Sequence, residues 1–243
     1  MTVKIGSRGR IEVFEDFLAF TVATMGTTAL PQGDIMYCSV NEGSFATTVD
    51  EPGGILACVT DTADNDNIAL YSGPFKAADG GCQMEARYKV ASIATPALFC
   101  GFSEILNATT PVCPIEANGA NVLTMSSSGA AAGILFDIDQ TTDTFLAVAA
   151  DNSAASTGAP VNTGLSPTNN EWEVTRVEVD PDGTARVYHA EDNSGLKLQA
   201  TFSTALTTTV VLFPCLLCEN RSGAANTMEV DYFFAKGFRD WTD

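Results

Sequence analysis

Apolar and polar positions alternate along most of this chain with the period of two that belongs to extended backbone, not the 3.6 of a helix. From Cys82 to Val90 the residues Cys82, Met84, Ala86, Tyr88 and Val90 fall on one face and Gln83, Glu85, Arg87 and Lys89 on the other. That spacing predicts a half-buried strand. Further β-rich segments lie at 54–60, 68–71, 97–102, 134–138, 145–149, 210–218 and 228–234, separated by turn formers such as Asp-Gly-Gly, Gln-Thr-Thr-Asp and Asn-Arg-Ser-Gly. Many short strands with no helical pattern between them predict an all-β sandwich or barrel.

The stretch 173–189 sets its own register. A type I turn on Asp180-Pro181-Asp182, with Gly183 in the left-handed region, makes a three-residue hairpin loop that pairs Asp180 with Thr184. Val179 then faces Ala185 and Val177 faces Val187, while Glu178 meets Arg186 and Arg176 meets Tyr188 on the other side. A slip of one residue would turn the apolar set outward. His189 falls opposite Thr175, at the far end of the apolar face. Two long segments, 103–121 with Pro111 and Pro114 and the small, polar 151–170, read as surface loops.

Composition narrows the function classes. The 243 residues are enough for one large all-β domain, which would bury roughly three quarters of its unfolded surface. Twelve Lys and Arg against 30 Asp and Glu give a formal charge of −18, which repels phosphate and makes nucleic acid a poor partner. Three of the twelve cations, Lys4, Arg8 and Arg10, stand in the first ten residues with no acid among them. We read 1–11 as a basic arm before a single acidic domain, 12–243. No signal-like or membrane-length apolar run is found, so no membrane partner is expected. Seven cysteines, an odd number, read as reduced buried thiols made in a reducing cytoplasm. Cys215 and Cys218 have CxxC spacing, but a strand would point them to opposite faces.

The chemistry-bearing groups are few. One histidine leaves any imidazole mechanism to His189 alone. The run Asp61-Thr-Ala-Asp64-Asn-Asp66-Asn67 sets Asp61, Asp64 and Asp66 between two strands, a weak Ca²⁺ candidate lacking EF-hand spacing; otherwise no cofactor is expected. Asn107-Ala-Thr109 and Asn220-Arg-Ser222 fit the glycosylation pattern, which has no chemistry without export. On the last strand Phe233 alternates away from Met228, Val230, Tyr232 and Phe234, which marks a strand covered on both faces or an interface.

The order of Gly53-Gly54-Ile-Leu, Asp64-Asn-Asp-Asn, Ala69-Leu-Tyr-Ser-Gly, Met84-Glu-Ala-Arg, Phe99-Cys-Gly-Phe-Ser-Glu104, the 172–188 hairpin and the closing Val230-Asp-Tyr-Phe-Phe-Ala-Lys-Gly-Phe-Arg-Asp-Trp241 resembles concanavalin A-like (laminin G-like) jelly-roll proteins. More narrowly, it resembles the jelly-roll structural proteins encoded among the head genes of tailed bacteriophages. The resemblance implies a two-sheet antiparallel sandwich. It also implies a virion component on the capsid exterior: a decoration or cement protein that touches the major capsid protein and copies of itself, expected as a homotrimer. The alternative is a head-fibre or tail appendage that binds a host glycan. Contacts are assigned to Lys4, Arg8, Arg10, Phe233 and Trp241.

A hydrolase reading fails on spacing. A retaining glycosidase of this fold needs two carboxylates about 5–5.5 Å apart, usually from Glu-x-Asp-x-x-Glu on an inward face. Glu229-Val-Asp231 is followed by Phe234 where the second acid should stand, and Glu178-Val-Asp180 by Gly183. No catalytic residue is assigned. A lectin needs an aromatic platform, and the two indoles, Trp172 opening a core strand and Trp241 near the end, suit anchoring as well as sugar stacking.

Overall fold

A computed structural model describes residues 9–18, 23–24, 29–48, 54–126, 129–191 and 194–238. Its strands are β1 (Arg10–Glu15), β2 (Ala23–Thr24), β3 (Leu30–Gln32), β4 (Ile35–Ser39), β5 (Ser44–Thr47), β6 (Leu56–Val59), β7 (Asn67–Ser72), β8 (Cys82–Val90), β9 (Pro96–Ser103) and β10 (Ile115–Ala117). They continue as β11 (Leu123–Met125), β12 (Ala131–Asp137), β13 (Leu146–Asp151), β14 (Ala154–Ala155), β15 (Val161–Asn162), β16 (Glu173–Val179), β17 (Ala185–Glu191), β18 (Lys197–Phe202), β19 (Phe213–Asn220) and β20 (Thr227–Phe238). The expected two-layer antiparallel sandwich is what the chain forms. One sheet runs β18-β17-β16-β8-β20-β6-β5-β2 with β1 also on β20, and the other runs β14-β13-β12-β9-β19-β7-β4-β3 with β15 on β13.

The two sheets are finished differently. Their facing sides share one core, which takes Met84, Tyr88, Val177, Val187 and Val230 from the first sheet and Leu70, Cys100, Phe102, Phe136 and Leu216 from the second. Burying side chains of this size contributes about 1.5–3 kcal/mol each. The second sheet is covered on its outer side too. Cys113, Ile115 and Ala117, from a segment expected to be a surface loop, pack on Tyr71, Phe99, Leu135 and Leu217 as a second apolar layer. The small hairpin of β10 and β11 shapes this cover. That is why β7, β9 and β12 are buried at every position while β8 and β16 alternate. We refer to the two as the open sheet and the covered sheet.

The 173–189 register is as the turn dictates. Val177 pairs with Val187, Thr175 with His189 and Glu178 with Arg186. Gly183 has φ +82°, its N–H donates to the Asp180 carbonyl at 2.9 Å, and the Asp180 N–H donates to the Thr184 carbonyl at 2.9 Å. Cys215 packs in the outer layer and Cys218 in the central core, on opposite sides of β19 as expected.

The last strand departs from simple alternation. Pairing of β20 with β8 shifts register between Val230 and Tyr232, so Asp231 is a bulged residue and the faces exchange beyond it. Met228 and Val230 face inward before the bulge, Phe233 and Ala235 after it. Phe233 is therefore a core residue at 0% exposure, not an interface residue. Strand β1 begins at Arg10, so Arg10 and Ile11 belong to the sandwich and not to an arm. Lys4, Arg8 and Trp241 lie outside the described residues. No helix among the described residues is long and apolar enough to cross a membrane.

Candidate functional site

The outer side of the open sheet is built from the polar half of each alternating strand. Strand β8 presents Gln83, Glu85, Arg87 and Lys89; β16 presents Val174, Arg176 and Glu178; β17 presents Arg186 and Tyr188. Beyond the bulge β20 adds Tyr232, Phe234, Lys236 and Phe238, and β1 adds Arg10, Glu12 and Phe14 opposite them. Ion pairs run across and along these strands. Arg87 Nη1 lies 2.6 Å from Asp231, Lys89 Nζ 2.8 Å from Glu229, Arg176 Nε 2.6 Å from Glu85 and Arg10 Nη2 2.8 Å from Glu12. Arg186 grips Asp180 with both Nη atoms, and the Tyr188 hydroxyl donates to Glu178 at 3.3 Å. The cross-strand pairing of Glu178 with Arg186 is thus correct in register, but the guanidinium reaches along to Asp180.

Aromatic rings lie among the charges. Phe14 stacks on Tyr232 with centroids 6.0 Å apart, and Lys236 stands 6.0 Å over Phe234. Trp172 is half-buried on this face, not in the core. Arg87 and Lys89 sit 4.3 and 4.6 Å from its ring, an attraction of about 0.5–1 kcal/mol for each exposed cation. The Tyr232 hydroxyl donates to Glu85 at 2.7 Å, and burial with that carboxylate holds the phenol protonated well above its ordinary range. Phe14 is 62% exposed, Leu198 52% and Phe238 40%, so large apolar surface remains in solvent here. At one end the face dips into a groove of about 350 Å³ between the Gly80–Gly81 turn, Glu178, Asp180, Lys236 and Phe238. Gly80 has φ +130°, a conformation that L side chains rarely adopt, and a Cβ there would stand 2.9 Å from the Phe238 ring.

The groups with catalytic potential are elsewhere or occupied. His189 is wholly buried between the sheets, 4.3 Å from the Phe145 ring, and desolvation pushes its pKa down to about 3. Its Nδ1 is 3.0 Å from Thr175 Oγ1, which is 3.1 Å from the Tyr88 hydroxyl, and its Nε2 is 3.1 Å from Glu173 Oε2. A neutral imidazole with its proton on Nε2 fits: the Thr175 hydroxyl donates to Nδ1 and the ring N–H faces the carboxylate. The contact with Glu173 would raise an exposed histidine, but full burial outweighs it here. All seven cysteines are buried and free, and burial raises their thiols, Cys38, Cys82 and Cys218 to about 12. None is poised as a nucleophile.

The calcium candidates do not converge. Asp66 is buried and its carboxylate is taken by the Asn41 amide and the Ala63 N–H, while Asp61 accepts from Thr62 N–H at 2.7 Å and Asp64 points to solvent. Among the described residues no group of three metal-ligating side chains is found. The loop is instead docked on Asn220 and Arg221: Asn220 Nδ2 donates to the Asp61 and Ala63 carbonyls, and Arg221 Nη1 donates to Asn65 Oδ1 at 2.9 Å. Arg221 also lies 2.6 Å from Glu219, 3.2 Å from Asp137 and 3.3 Å from Glu116. Sequence reasoning missed this residue, because two of its carboxylate partners, Glu116 and Asp137, come from β10 and β12, strands that are distant along the chain.

Neither a family model nor a curated protein matches this chain. Solved structures do. A Shewanella oneidensis protein of unknown function superposes with a TM-score of 0.66 at 12% identity, over 100% of this chain and 92% of that one. The lectin UEA-II, solved with galactose, gives 0.58 at 13% identity over 94% and 99% of the two chains. The Lotus tetragonolobus seed lectin gives 0.53 at 10% identity over 90% and 100%. At such identities the likeness gives the fold alone, and that fold is the lectin-like, concanavalin A-like sandwich.

Proposed function

We propose that this chain works by contact and not by catalysis, as a structural protein of a bacteriophage virion that decorates the capsid exterior after synthesis in the host cytoplasm. The carrying observation is the unequal finish of the two sheets. Cys113, Ile115 and Ala117 close one outer face, while the other is left open with Phe14, Leu198 and Phe238 in solvent among ordered ion pairs. Exposed apolar residues beside an ordered polar surface suit a protein contact. The absence of a reaction is supported by the acids that would have carried one. Glu178, Asp180, Glu229 and Asp231 all line the outer face and each holds a donor of its own. Weak contacts suffice for decoration because many copies bind one lattice.

The test is co-sedimentation of the purified protein with capsids assembled from the major capsid protein of the phage that encodes it. Saturable binding is expected, and no binding overturns the virion reading. A second reading, attachment to a host glycan, is favoured by the groove, where the Phe238 ring stands beside Glu178, Asp180 and Lys236. Binding on a glycan array that disappears in Phe238→Ala would establish it over the first. Calcium is not required by either reading, since the Asp61–Asn67 loop is held by Arg221 and Asn220.

A further inference from the structure

We propose that two copies of this chain meet through the open face, sheet against sheet about a twofold axis. This rests on the reading of the open face as a contact surface, and it names a second copy of the chain as the occupant of that face. The charge distribution carries it. Arg10, Arg87, Lys89, Arg176, Arg186 and Lys236 stand on that face with Glu12, Glu85, Glu178, Asp180, Glu229 and Asp231. Six cations balance six carboxylates, so the rest of the chain keeps six of its 12 Lys and Arg against 24 of its 30 Asp and Glu and carries the whole formal charge of −18. The remaining surface is acidic on balance, so a contact between copies through it works against net repulsion. Packing the balanced face on itself places the two acidic bodies on opposite sides, where they are farthest apart.

Two further features suit this occupant. Five of the six carboxylates are ion-paired within their own copy and Glu178 accepts from the Tyr188 hydroxyl, so burial costs less here than it would for unpaired charges, although paired ions also lose hydration. The exposed apolar residues, Phe14, Leu198 and Phe238, lie around the paired ions and gain a dry contact. Area is sufficient. Six strands at about 4.8 Å spacing and about seven residues at ~3.3 Å span roughly 650 Å² per copy, or about 1,300 Å² in all, within the range of specific interfaces. A twofold contact is self-complementary and closes at two copies, in place of the trimer expected from the family resemblance.

The test is sedimentation equilibrium of the purified chain with a double variant, Phe14→Asp with Phe238→Asp, and a control on the covered side, Val122→Asp. All three positions are exposed, so circular dichroism and melting should match the parent. The parent and the control should sediment as two chains and the double variant as one. Raising NaCl from about 20 to about 300 mM should tighten the dimer several-fold, because salt screens the repulsion between acidic bodies more than it weakens a neutral contact. A parent that stays at one chain up to about 100 μM, or sediments as three, overturns the inference, as does a dimer that the double variant leaves intact or that salt loosens. A parent that stays single yet binds capsids ends the inference and spares the contact reading; a dimer that binds no capsid does the reverse.

Discussion

His189 shows how one buried side chain couples this fold to pH. Its folded pKa is depressed to about 3 from 6.5, so between those values the unfolded chain binds a proton that the folded chain refuses. Stability contributed by the neutral ring is complete above about pH 6.5 and is lost on acidification, by up to ~1.4 kcal/mol per unit. We expect His189→Gln to be flatter than the parent in urea midpoint between pH 6.5 and 5, where carboxylates scarcely titrate; equal slopes would contradict the assignment. Gly183 is a second single-residue constraint. At φ +82°, with the Leu206 carbonyl 2.1 Å from where a Cβ would stand, Gly183→Ala should cost more than about 1 kcal/mol in chemical unfolding. Both residues were legible in the sequence, because a turn with one glycine fixes the pairing of everything up to Thr175 and His189. That His189 is sealed in the core was not, since its cover, Phe145, is the residue just before β13 of the other sheet.

Among the elements, β20 and the β19 terminus hold what the sequence hid. Alternation alone put Phe233 outside; the bulge at Asp231 puts it inside and turns Tyr232 and Phe234 out. A bulge leaves no signal in a strand whose apolar residues run on both sides of it, as they do from Met228 to Phe234. The segment 103–121 looked like a loop because Pro111 and Pro114 interrupt any strand pattern, yet Cys113, Ile115 and Ala117 are buried. Arg221 pins this cover to the sheet. Its side chain is 8% exposed against Asp137 at 1% and Glu219 at 3%. Arg221→Met would strand both carboxylates in a buried site and should cost about 3–5 kcal/mol, read from thermal or urea melts. Adding Glu219→Gln should recover part of that loss; no recovery would mean that the cluster does not act through charge.

At the scale of the molecule, the jelly-roll class could be read from period-two patterning, short strands and absent helices, and the fold is shared with lectins at 10–13% identity. The surface proposed for contact could not. Glu85, Arg87 and Lys89 were visibly outward on β8, but their balance depends on β20 lying beside β8 and β1 beside β20, pairings between residues up to 228 positions apart, such as Arg10 and Phe238. Strand order is global information, and a charge count of the whole chain conceals a neutral face within an acidic body. Hydroxyl-radical footprinting of the assembled protein against the dilute one tests that face most directly. We expect oxidation of Phe14 and Phe238 to fall on assembly while Val122 on the covered side is unchanged; protection of Val122 with Phe14 and Phe238 still reactive would contradict the account.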